Sequence, residues 1–253
     1  MSDTRPLFEI RDLSKRYDQQ QVLDHLSFDV ARGECFVILG RSGSGKTVTL
    51  RQLNALEPPD GGSVRFEGTE ISSLDEADLV PVRRRIAMLF QSSALFDSMN
   101  VFDNVAFPLR EHLGLAPAAI ADRVHQLLRR VGLDDFARRM PAELSGGMRK
   151  RAALARALAL DPVAVLYDEP SAGLDPMGSA SIARLIRETQ TALAVTSVVV
   201  THDLVLAQRV ANRVALLDAG RFRFLGTWAA AETASDPLLQ DFLAGREEQA
   251  SAA

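Results

Sequence analysis

The sequence has little cysteine, little excess charge and no long apolar run. Its single cysteine, Cys35, excludes a disulfide framework and lies in an apolar segment, where a small buried side chain is expected. No uncharged run reaches the roughly 18 residues that a membrane-spanning helix needs, and no secretion signal is apparent. We therefore expect a cytosolic chain, and any membrane role must come from a partner.

The charge and composition narrow the class of protein further. A net charge of -4 argues against a surface that coats nucleic acid, although it leaves a local basic groove open. With 253 residues, of which 47% are hydrophobic, the chain can bury a sizeable core in one large domain or two small ones. The sequence has no internal repeat.

An antiparallel hairpin is predicted near the start of the chain. Residues 7–13 and 22–30 alternate apolar and polar side chains, which is typical of half-exposed strands. Residues 18–20 supply a polar turn between them. A second hairpin is predicted at 213–225, around the turn Ala219-Gly220.

Three other segments predict strands that are covered on both faces. Residues 35–39, 164–167 and 197–200 are short and largely apolar, the pattern of a parallel sheet. In an open α/β sheet the ligand crevice lies beyond the carboxyl ends of such strands. The chemistry is therefore expected just after these three segments.

Helical spacing dominates from about 92 to 160. This spacing is seen in two apolar stripes. The first consists of Ile120, Val124, Leu127, Leu128 and Val131, and the second of Ala153, Leu154, Ala157 and Leu158. From Trp228 onward the chain is again predicted to be helical, with Pro237 opening a last helix that ends at Leu243. We expect the polar tail 246–253 to be frayed.

A phosphate-binding loop follows the first apolar strand. Residues 40–47, Gly-Arg-Ser-Gly-Ser-Gly-Lys-Thr, fit the pattern G-x-x-x-x-G-K-[ST] between a predicted strand and a predicted helix. The glycines Gly40, Gly43 and Gly45 let backbone N–H groups, including that of Ser42, approach phosphate oxygens. Lys46 can reach the outer phosphates, and the Thr47 hydroxyl can bind Mg²⁺. A glycine-rich turn with no ligand is the bland alternative.

Two adjacent carboxylates follow the second apolar strand. Asp168 is expected to hold Mg²⁺, directly or through water. Glu169 is expected to polarise an attacking water as a general base. An ordinary acidic turn before Pro170 is the alternative, and the predicted position next to the phosphate loop favours the catalytic interpretation.

A second potential anion site begins the alanine-rich helix after residue 144. Ser145 can cap this helix, and Gly146 and Gly147 keep its first turn bare. A nucleotide bound at Lys46 alone has no obvious use for this site. A plain capped helix is the alternative.

These motifs together resemble the nucleotide-binding subunit of ATP-binding cassette (ABC) transporters over almost the whole chain. The resemblance implies an α/β fold, with a RecA-like P-loop NTPase core, an antiparallel β subdomain and an inserted helical subdomain. The implied boundaries are 1–91 and 161–226 for the core with its β subdomain, 92–160 for the helical subdomain, and 227–253 for the terminal helices and tail. In this family Ser145 and Gly147 of one copy complete the ATP site of a second copy. The usual fifth signature residue is Gln, whereas here it is Met148.

The resemblance also assigns roles to four single residues. Tyr17 matches the aromatic that stacks on adenine, and Gln91 matches the glutamine that contacts Mg²⁺ and the attacking water. His202 matches the histidine that senses the γ-phosphate and supports the catalytic glutamate. Asp175 matches a loop residue that links the two ATP sites. Each alone could equally be a structural residue.

The segment 89–110 and the signature variant Leu-Ser-Gly-Gly-Met resemble the Mla type of lipid-transporting ATPase. That resemblance implies phospholipid transport between two membranes, with a permease, an MCE-domain protein and a STAS-domain protein as partners and no nucleic acid. The ATPase would lie at the cytoplasmic face of the inner membrane. Four phenylalanines in this segment are candidates for the permease socket, although some of them can belong to the core: Phe90, Phe96, Phe102 and Phe107.

The implied mechanism is a clamp in which Lys46 of one copy and Ser145 of the other grip the same ATP. Two other classes remain open at this point. A soluble ABC ATPase without a transport role is disfavoured, because the chain has neither a second cassette nor a coiled-coil insertion. A small-molecule kinase leaves residues 144–148 unexplained.

The basic runs 83–85 and 149–151 are expected to be solvated, with contact to a partner or to phosphates as the alternative.

Overall fold

The computed structural model describes residues 5–245, so the tail expected at 246–253 lies outside the described residues. The strands are β1 Phe8–Tyr17, β2 Gln20–Val30, β3 Cys35–Leu39, β4 Gly61–Phe66, β5 Thr69–Glu70, β6 Ile86–Leu89, β7 Ala164–Asp168, β8 Thr196–Thr201, β9 Arg213–Asp218 and β10 Arg221–Gly226. The helices are α1 Lys46–Leu53, α2 Glu76–Arg85, α3 Val101–His112, α4 Pro117–Arg130, α5 Gly146–Ala157, α6 Pro176–Leu193, α7 Leu204–Val210, α8 Trp228–Thr233 and α9 Pro237–Leu243. Short 3₁₀ turns occupy Asp134–Phe136 and Pro141–Glu143.

The described residues divide into two compact units. The first contains residues 5–74 and 198–245, and the second contains residues 75–197. The chain passes from the second unit to the first within β8. This partition differs from the sequence-based boundaries at 91/92 and 160/161, which stay a prediction.

The first unit contains an antiparallel sheet in the order β2-β1-β4-β5. The predicted hairpin is confirmed, and its strands extend to the pair Tyr17 and Gln20 next to the turn. Its other strands follow the order β10-β9-β3-β8, with β3 parallel to β9. All five residues of β3 are fully buried, including Cys35, as expected for a strand covered on both faces.

The second unit pairs β6 and β7 in parallel, with Leu89 opposite Tyr167. Helices α3, α4 and α5 confirm the helical content predicted for the stretch 92–160. The stripe on α4 is buried as predicted, from Ile120 to Val131. On α5 the stripe is broader than predicted, because Ala152 and Ala155 are also buried whereas Ala157 is half-buried.

Side-chain caps fix where most of the helices begin. In each case a side-chain oxygen accepts a hydrogen bond from a backbone N–H in the first turn, which offsets the loss of an intrahelical partner. The capping residues are Asn100, Ser145, Asp175, Asp203, Thr227 and Asp236. Among residues 5–245, no helix combines the length and apolarity that a bilayer crossing requires.

Buried Asn104 organises the loop between β6 and α3. Its Oδ1 accepts from the Phe96 N–H at 2.8 Å, and its Nδ2 donates to the carbonyls of Phe96 and Met99 at 3.1 and 2.9 Å. The side chain is fully buried. Without this side chain the Phe96 N–H and the Met99 carbonyl would lose these hydrogen bonds, and the Phe96 carbonyl would keep the bond from the Met99 N–H at 3.1 Å.

Replacing Asn104 with Ala should therefore lower the free energy of unfolding by about 3 kcal/mol. The measurement is urea unfolding followed by circular dichroism. Exposed Gln126 on α4 supplies the control, and Gln126→Ala should change stability by less than about 0.5 kcal/mol. Equal unfolding midpoints for the two variants would contradict this role of Asn104.

Candidate functional site

The glycine-rich loop of the first unit connects β3 to α1. Lys46, the first residue of α1, is 7% exposed. Its Nζ donates to the carbonyls of Gly40 and Arg41 at 2.7 and 2.9 Å, so the loop is wrapped around its own ammonium group. Phosphate oxygens can replace these carbonyls as acceptors without moving the charge into an apolar environment.

Two glycines in this loop have no room for a side chain. Gly45 has a φ of +105°, and a Cβ there would lie 2.8 Å from the Val22 carbonyl oxygen. A Cβ on Gly40 would lie 2.5 Å from the Leu217 carbonyl oxygen. The close approach of the neighbouring backbone thus requires glycine at both positions.

A buried hydroxyl marks this loop as a binding site. The Ser44 Oγ has no hydrogen-bond partner within residues 5–245, although Ser44 is only 9% exposed. The first turn of α1 contains no acidic side chain, so the partial positive charge of the helix start is not neutralised locally. An orphaned polar atom and a positive helix start fit a phosphate group. The sequence pattern singles out Ser42, which is exposed, whereas Ser44 is distinguished only by its burial.

Two further predicted residues belong to the first unit. His202 follows β8, the neighbour of β3, and is exposed. Tyr17 ends β1 and is 38% exposed, so its ring is open to a ligand. The Tyr17 hydroxyl donates to Glu57 Oε2 at 2.5 Å. Burial first, and then the Glu57 carboxylate, raise the pKa of Tyr17 to about 12.

The second unit contains the predicted acidic pair. Asp168 and Glu169 are 5% and 9% exposed and follow the pairing of Tyr167 with Leu89. Gln91 lies two residues beyond Leu89. Because β6 and β7 are parallel, Gln91 and the acidic pair both lie at the carboxyl ends of these two strands. Glu169 has a φ of +44°, a left-handed conformation that is unfavourable for a residue with a side chain.

One prediction for the basic run 149–151 is wrong. Lys150 is not solvated but 4% exposed. Its Nζ donates to the carbonyls of Gln91 at 3.1 Å and Glu169 at 3.3 Å. Charge runs are ordinarily surface features, and here the helical period turns the middle residue of the run inward. Sequence reasoning therefore missed Lys150 as a residue of the site.

Ser145 caps α5 as predicted. Its Oγ accepts from the Met148 N–H at 3.2 Å, and the residue is exposed. The bond uses the main chain of Met148, so the replacement of the usual Gln leaves this geometry intact. Gly146 and Gly147 lie next to Leu174, whose Cδ2 would be 3.4 Å from a Cβ on Gly146. Asp175 caps α6 by accepting from the Gly178 N–H at 2.7 Å.

The four phenylalanines of 89–110 are not core residues. Phe90 and Phe96 are 39% and 41% exposed, and Phe102 and Phe107 are half-buried. The rings of Phe96 and Phe107 lie 4.9 Å apart, and the Arg156 guanidinium lies 5.5 Å from the Phe96 ring. These contacts hold an aromatic surface in place next to Gln91.

The predicted Mg²⁺ ligands are Thr47, Gln91 and Asp168. Their hydroxyl, amide and carboxylate oxygens are donors that Mg²⁺ prefers. Among residues 5–245, no cluster of three or more His, Cys, Asp or Glu side chains could hold a metal by itself. Each of these donors is of the kind that suits a cation whose other ligands come from phosphate and water.

The phosphate loop, the acidic pair and the capped glycine helix define a P-loop ATPase. Residues 23–172 match the family model for the ABC transporter. The chain belongs to the ABC transporter family and is an ATP-binding ATPase subunit.

Curated relatives cover most of the chain. It is 42% identical over 94% of its length, and 89% of the relative's length, to the intermembrane phospholipid transport system ATP-binding protein MlaF of Escherichia coli. It is 39% identical to the probable ribonucleotide transport ATP-binding protein mkl of Mycobacterium leprae, over 94% of this chain and 69% of that one. It is 40% identical to the methionine import ATP-binding protein MetN of Brucella abortus, over 94% and 64% of the two chains.

Solved structures confirm the predicted α/β cassette fold. The ADP- and phosphate-bound dimer of the ATP-binding cassette MJ0796 has a TM-score of 0.81 and 29% identity, covering 87% of this chain and 98% of that one. The structure of cbiO1 from Clostridium perfringens has a TM-score of 0.82 and 29% identity, covering 88% of each chain.

Removing the Glu57 carboxylate should lower the pKa of Tyr17 from about 12 towards its ordinary value of 10.0, without reaching it, because burial, the largest single cause of the shift, remains. Glu57→Gln tests this in an alkaline titration that follows tyrosinate absorbance. Tyr17→Phe identifies the signal, since Tyr167 is the other tyrosine. An unchanged pKa would contradict the Glu57 contact.

The raised pKa of Tyr17 also fixes the direction of a stability change. The ionised phenolate is disfavoured in the folded protein, so the free energy of unfolding should fall as the pH rises from about 10 to about 12. Tyr17→Phe should reduce this loss.

Proposed function

We propose that this ATPase energises phospholipid transport through a membrane permease, working as a pair of identical subunits. The observation that carries the ATPase mechanism is the phosphate loop closed around buried Lys46, with the orphaned Ser44 hydroxyl inside it. The phospholipid assignment is supported by the 42% identity to MlaF and by the Mla-like segment 89–110.

The proposed ATP site uses residues from two copies. Lys46, Thr47 and the backbone of 40–45 bind the phosphates from one copy, and Tyr17 of that copy stacks on adenine. The exposed start of α5 in the other copy, with Ser145 and Gly147, binds the same nucleotide. The dimeric MJ0796 cassette supports this arrangement.

Glu169 is the proposed general base. It would polarise the attacking water, a contribution of about 10²- to 10⁴-fold. His202 is proposed to support Glu169 and to sense the γ-phosphate, and Asp175 is proposed to link the two ATP sites. Mg²⁺, held by Thr47, Gln91 and Asp168, would neutralise charge on the phosphates.

The proposed partners are a permease, an MCE-domain protein and a STAS-domain protein, with no nucleic acid. The exposed rings of Phe90 and Phe96 support a socket for an apolar helix of the permease. We propose that the ATPase lies at the cytoplasmic face of the inner membrane, bound through the permease.

The relatives mkl and MetN favour a second candidate, an ABC transporter for a different substrate. Their identities of 39% and 40% are close to that of MlaF. Purification of the chain with its membrane partners from detergent-solubilised membranes separates the candidates. Phospholipid transport requires MCE- and STAS-domain subunits and bound phospholipid in the complex. A complex with another solute-binding subunit would contradict the phospholipid assignment.

Glu169→Gln should bind ATP normally and lower kcat by about 10²-fold or more, because the amide cannot accept the proton of the attacking water. Lys46→Ala provides the complementary variant and should lose most ATP affinity in a binding titration. Phosphate release at the wild-type rate by Glu169→Gln would show that the base is misassigned. Unchanged affinity of Lys46→Ala would reject the phosphate loop.

Phe96→Ala should weaken binding to the permease about tenfold and so lower recovery of the permease with this chain, because the socket loses an aromatic contact worth roughly 1.4 kcal/mol. Quantitative mass spectrometry of the purified complex measures this recovery. Leu193→Ala is the control, since Leu193 is 38% exposed at the end of α6. Equal recovery for both variants would remove Phe96 from the socket.

A further inference from the structure

The chain has only three lysines, and all of them are buried. Lys15, Lys46 and Lys150 are 9%, 7% and 4% exposed, whereas arginine supplies the rest of the 29 Lys and Arg residues. A buried ammonium loses its hydration and needs oxygen atoms around it. Each lysine therefore marks a place where oxygens are brought together.

Two of the lysines have a clear structural or binding role. Lys15 Nζ donates to the Pro58 carbonyl at 2.8 Å and lies 3.5 Å from Asp60 Oδ1, so it ties β1 to the loop before β4. Lys46 is the lysine of the phosphate loop. The remaining lysine, Lys150, has neither of these two roles.

Lys150 joins two segments that are far apart in sequence. The carbonyls that accept from its Nζ belong to Gln91, 59 residues away, and Glu169, 19 residues away. Both are proposed to contact the attacking water or Mg²⁺. Lys150 itself lies in α5, the helix that Ser145 caps, so one ammonium group bonds the backbone of both proposed catalytic segments to that helix.

The backbone of Glu169 needs such support. Its left-handed conformation, with φ of +44°, is one that a residue with a Cβ adopts at a cost. Its carbonyl accepts from Lys150 Nζ and from the Ala172 N–H at 3.0 Å. These two donors favour the strained conformation, which determines where the Glu169 side chain begins.

The charge of Lys150 also matters. Burial lowers the pKa of Lys150, and the negative charges of Glu169 and Asp168 oppose that shift. The ammonium therefore interacts with both carboxylates as well as with the two carbonyls. It reduces the repulsion between two adjacent acidic side chains.

We propose that Lys150 is a positioning residue, which holds the backbone of Gln91 and Glu169 in a fixed relation and so orients the Glu169 carboxylate for catalysis. This inference rests on the proposed role of Glu169 as the general base. The atoms that accept from Lys150 are main-chain oxygens of its own chain. Its loss should therefore affect the chemical step and leave ATP binding nearly unchanged.

A substitution series at Lys150 separates the effect of its hydrogen-bond donors from the effect of its positive charge. Arginine keeps both, glutamine keeps a donor without the charge, and methionine removes both at similar length. The measurement is steady-state ATP hydrolysis by the permease-bound chain, with kcat calculated per folded protein. The control is Arg184→Met, since the Arg184 side chain is 74% exposed on α6.

Lys150→Met should lower kcat at least about tenfold while KM for ATP changes less than about threefold. Lys150→Gln should be intermediate, Lys150→Arg should recover most of the activity, and Arg184→Met should behave like the wild type. If Lys150→Met does not fold, the ratio of kcat between Lys150→Arg and Lys150→Gln decides, and it should exceed about threefold.

Two results would overturn the inference. One is a wild-type kcat per folded protein in Lys150→Met, or in Lys150→Gln if only that variant folds. The other is a rise in KM with kcat unchanged. Glu169→Gln in the same assay distinguishes this failure from failure of the proposed function. An inactive Glu169→Gln beside an active Lys150→Met rejects only the role of Lys150, whereas an active Glu169→Gln rejects the general base itself.

Discussion

The contact between the buried Lys46 ammonium and the carbonyls of Gly40 and Arg41 is the interaction on which the rest of the account depends. A charge that is 7% exposed is tolerable only when oxygen atoms surround it. The loop must therefore curl tightly, and that path leaves no space for a side chain at Gly40 or Gly45. The same path brings the orphaned Ser44 hydroxyl inside, where phosphate oxygens can satisfy both groups.

Burial of cations is a recurring device in this chain. In the second unit, α5 presents Lys150 to the carbonyls of Gln91 and Glu169 and Arg156 to the carbonyl of Ser93. Burial lowers the pKa of both cations. Helix α5 is thus capped by Ser145 at its start, and two of its side chains hydrogen-bond the backbone carbonyls of Gln91 and Ser93. It therefore connects the segment of the proposed permease contact at Phe90 and Phe96 to the proposed general base, Glu169.

Local patterns in the sequence were enough to predict much of the fold. The alternation in β1 and β2 and the apolar runs of β3, β7 and β8 predicted strands, because burial on one or both faces leaves a direct trace in residue order. The cap at Ser145 and the start of α9 at Pro237 were predicted from local chemistry. Helix α6 was not assigned, although Asp175-Pro176 is a recognisable start signal.

What the sequence did not reveal depends on residues that meet only in the folded chain. The burial of Lys150 and its two carbonyl partners could not be read from a basic run. The contact between Tyr17 and Glu57 joins residues 40 positions apart. The orphaned Ser44 hydroxyl is visible only because its surroundings are known. In each case tertiary packing, not local propensity, determines the chemistry.

The central claim is that one nucleotide is bound by the phosphate loop of one copy and the α5 start of another. The most direct measurement uses two variants of the Glu169→Gln chain, one carrying Ser42→Cys and the other Ser145→Cys, because native Cys35 is buried and both serines are exposed. After mixing with ATP and Mg²⁺ and mild oxidation, the account predicts a disulfide-linked dimer that forms only from the mixture and only with nucleotide. The same low level of cross-linking in the mixture and in each variant alone would contradict it.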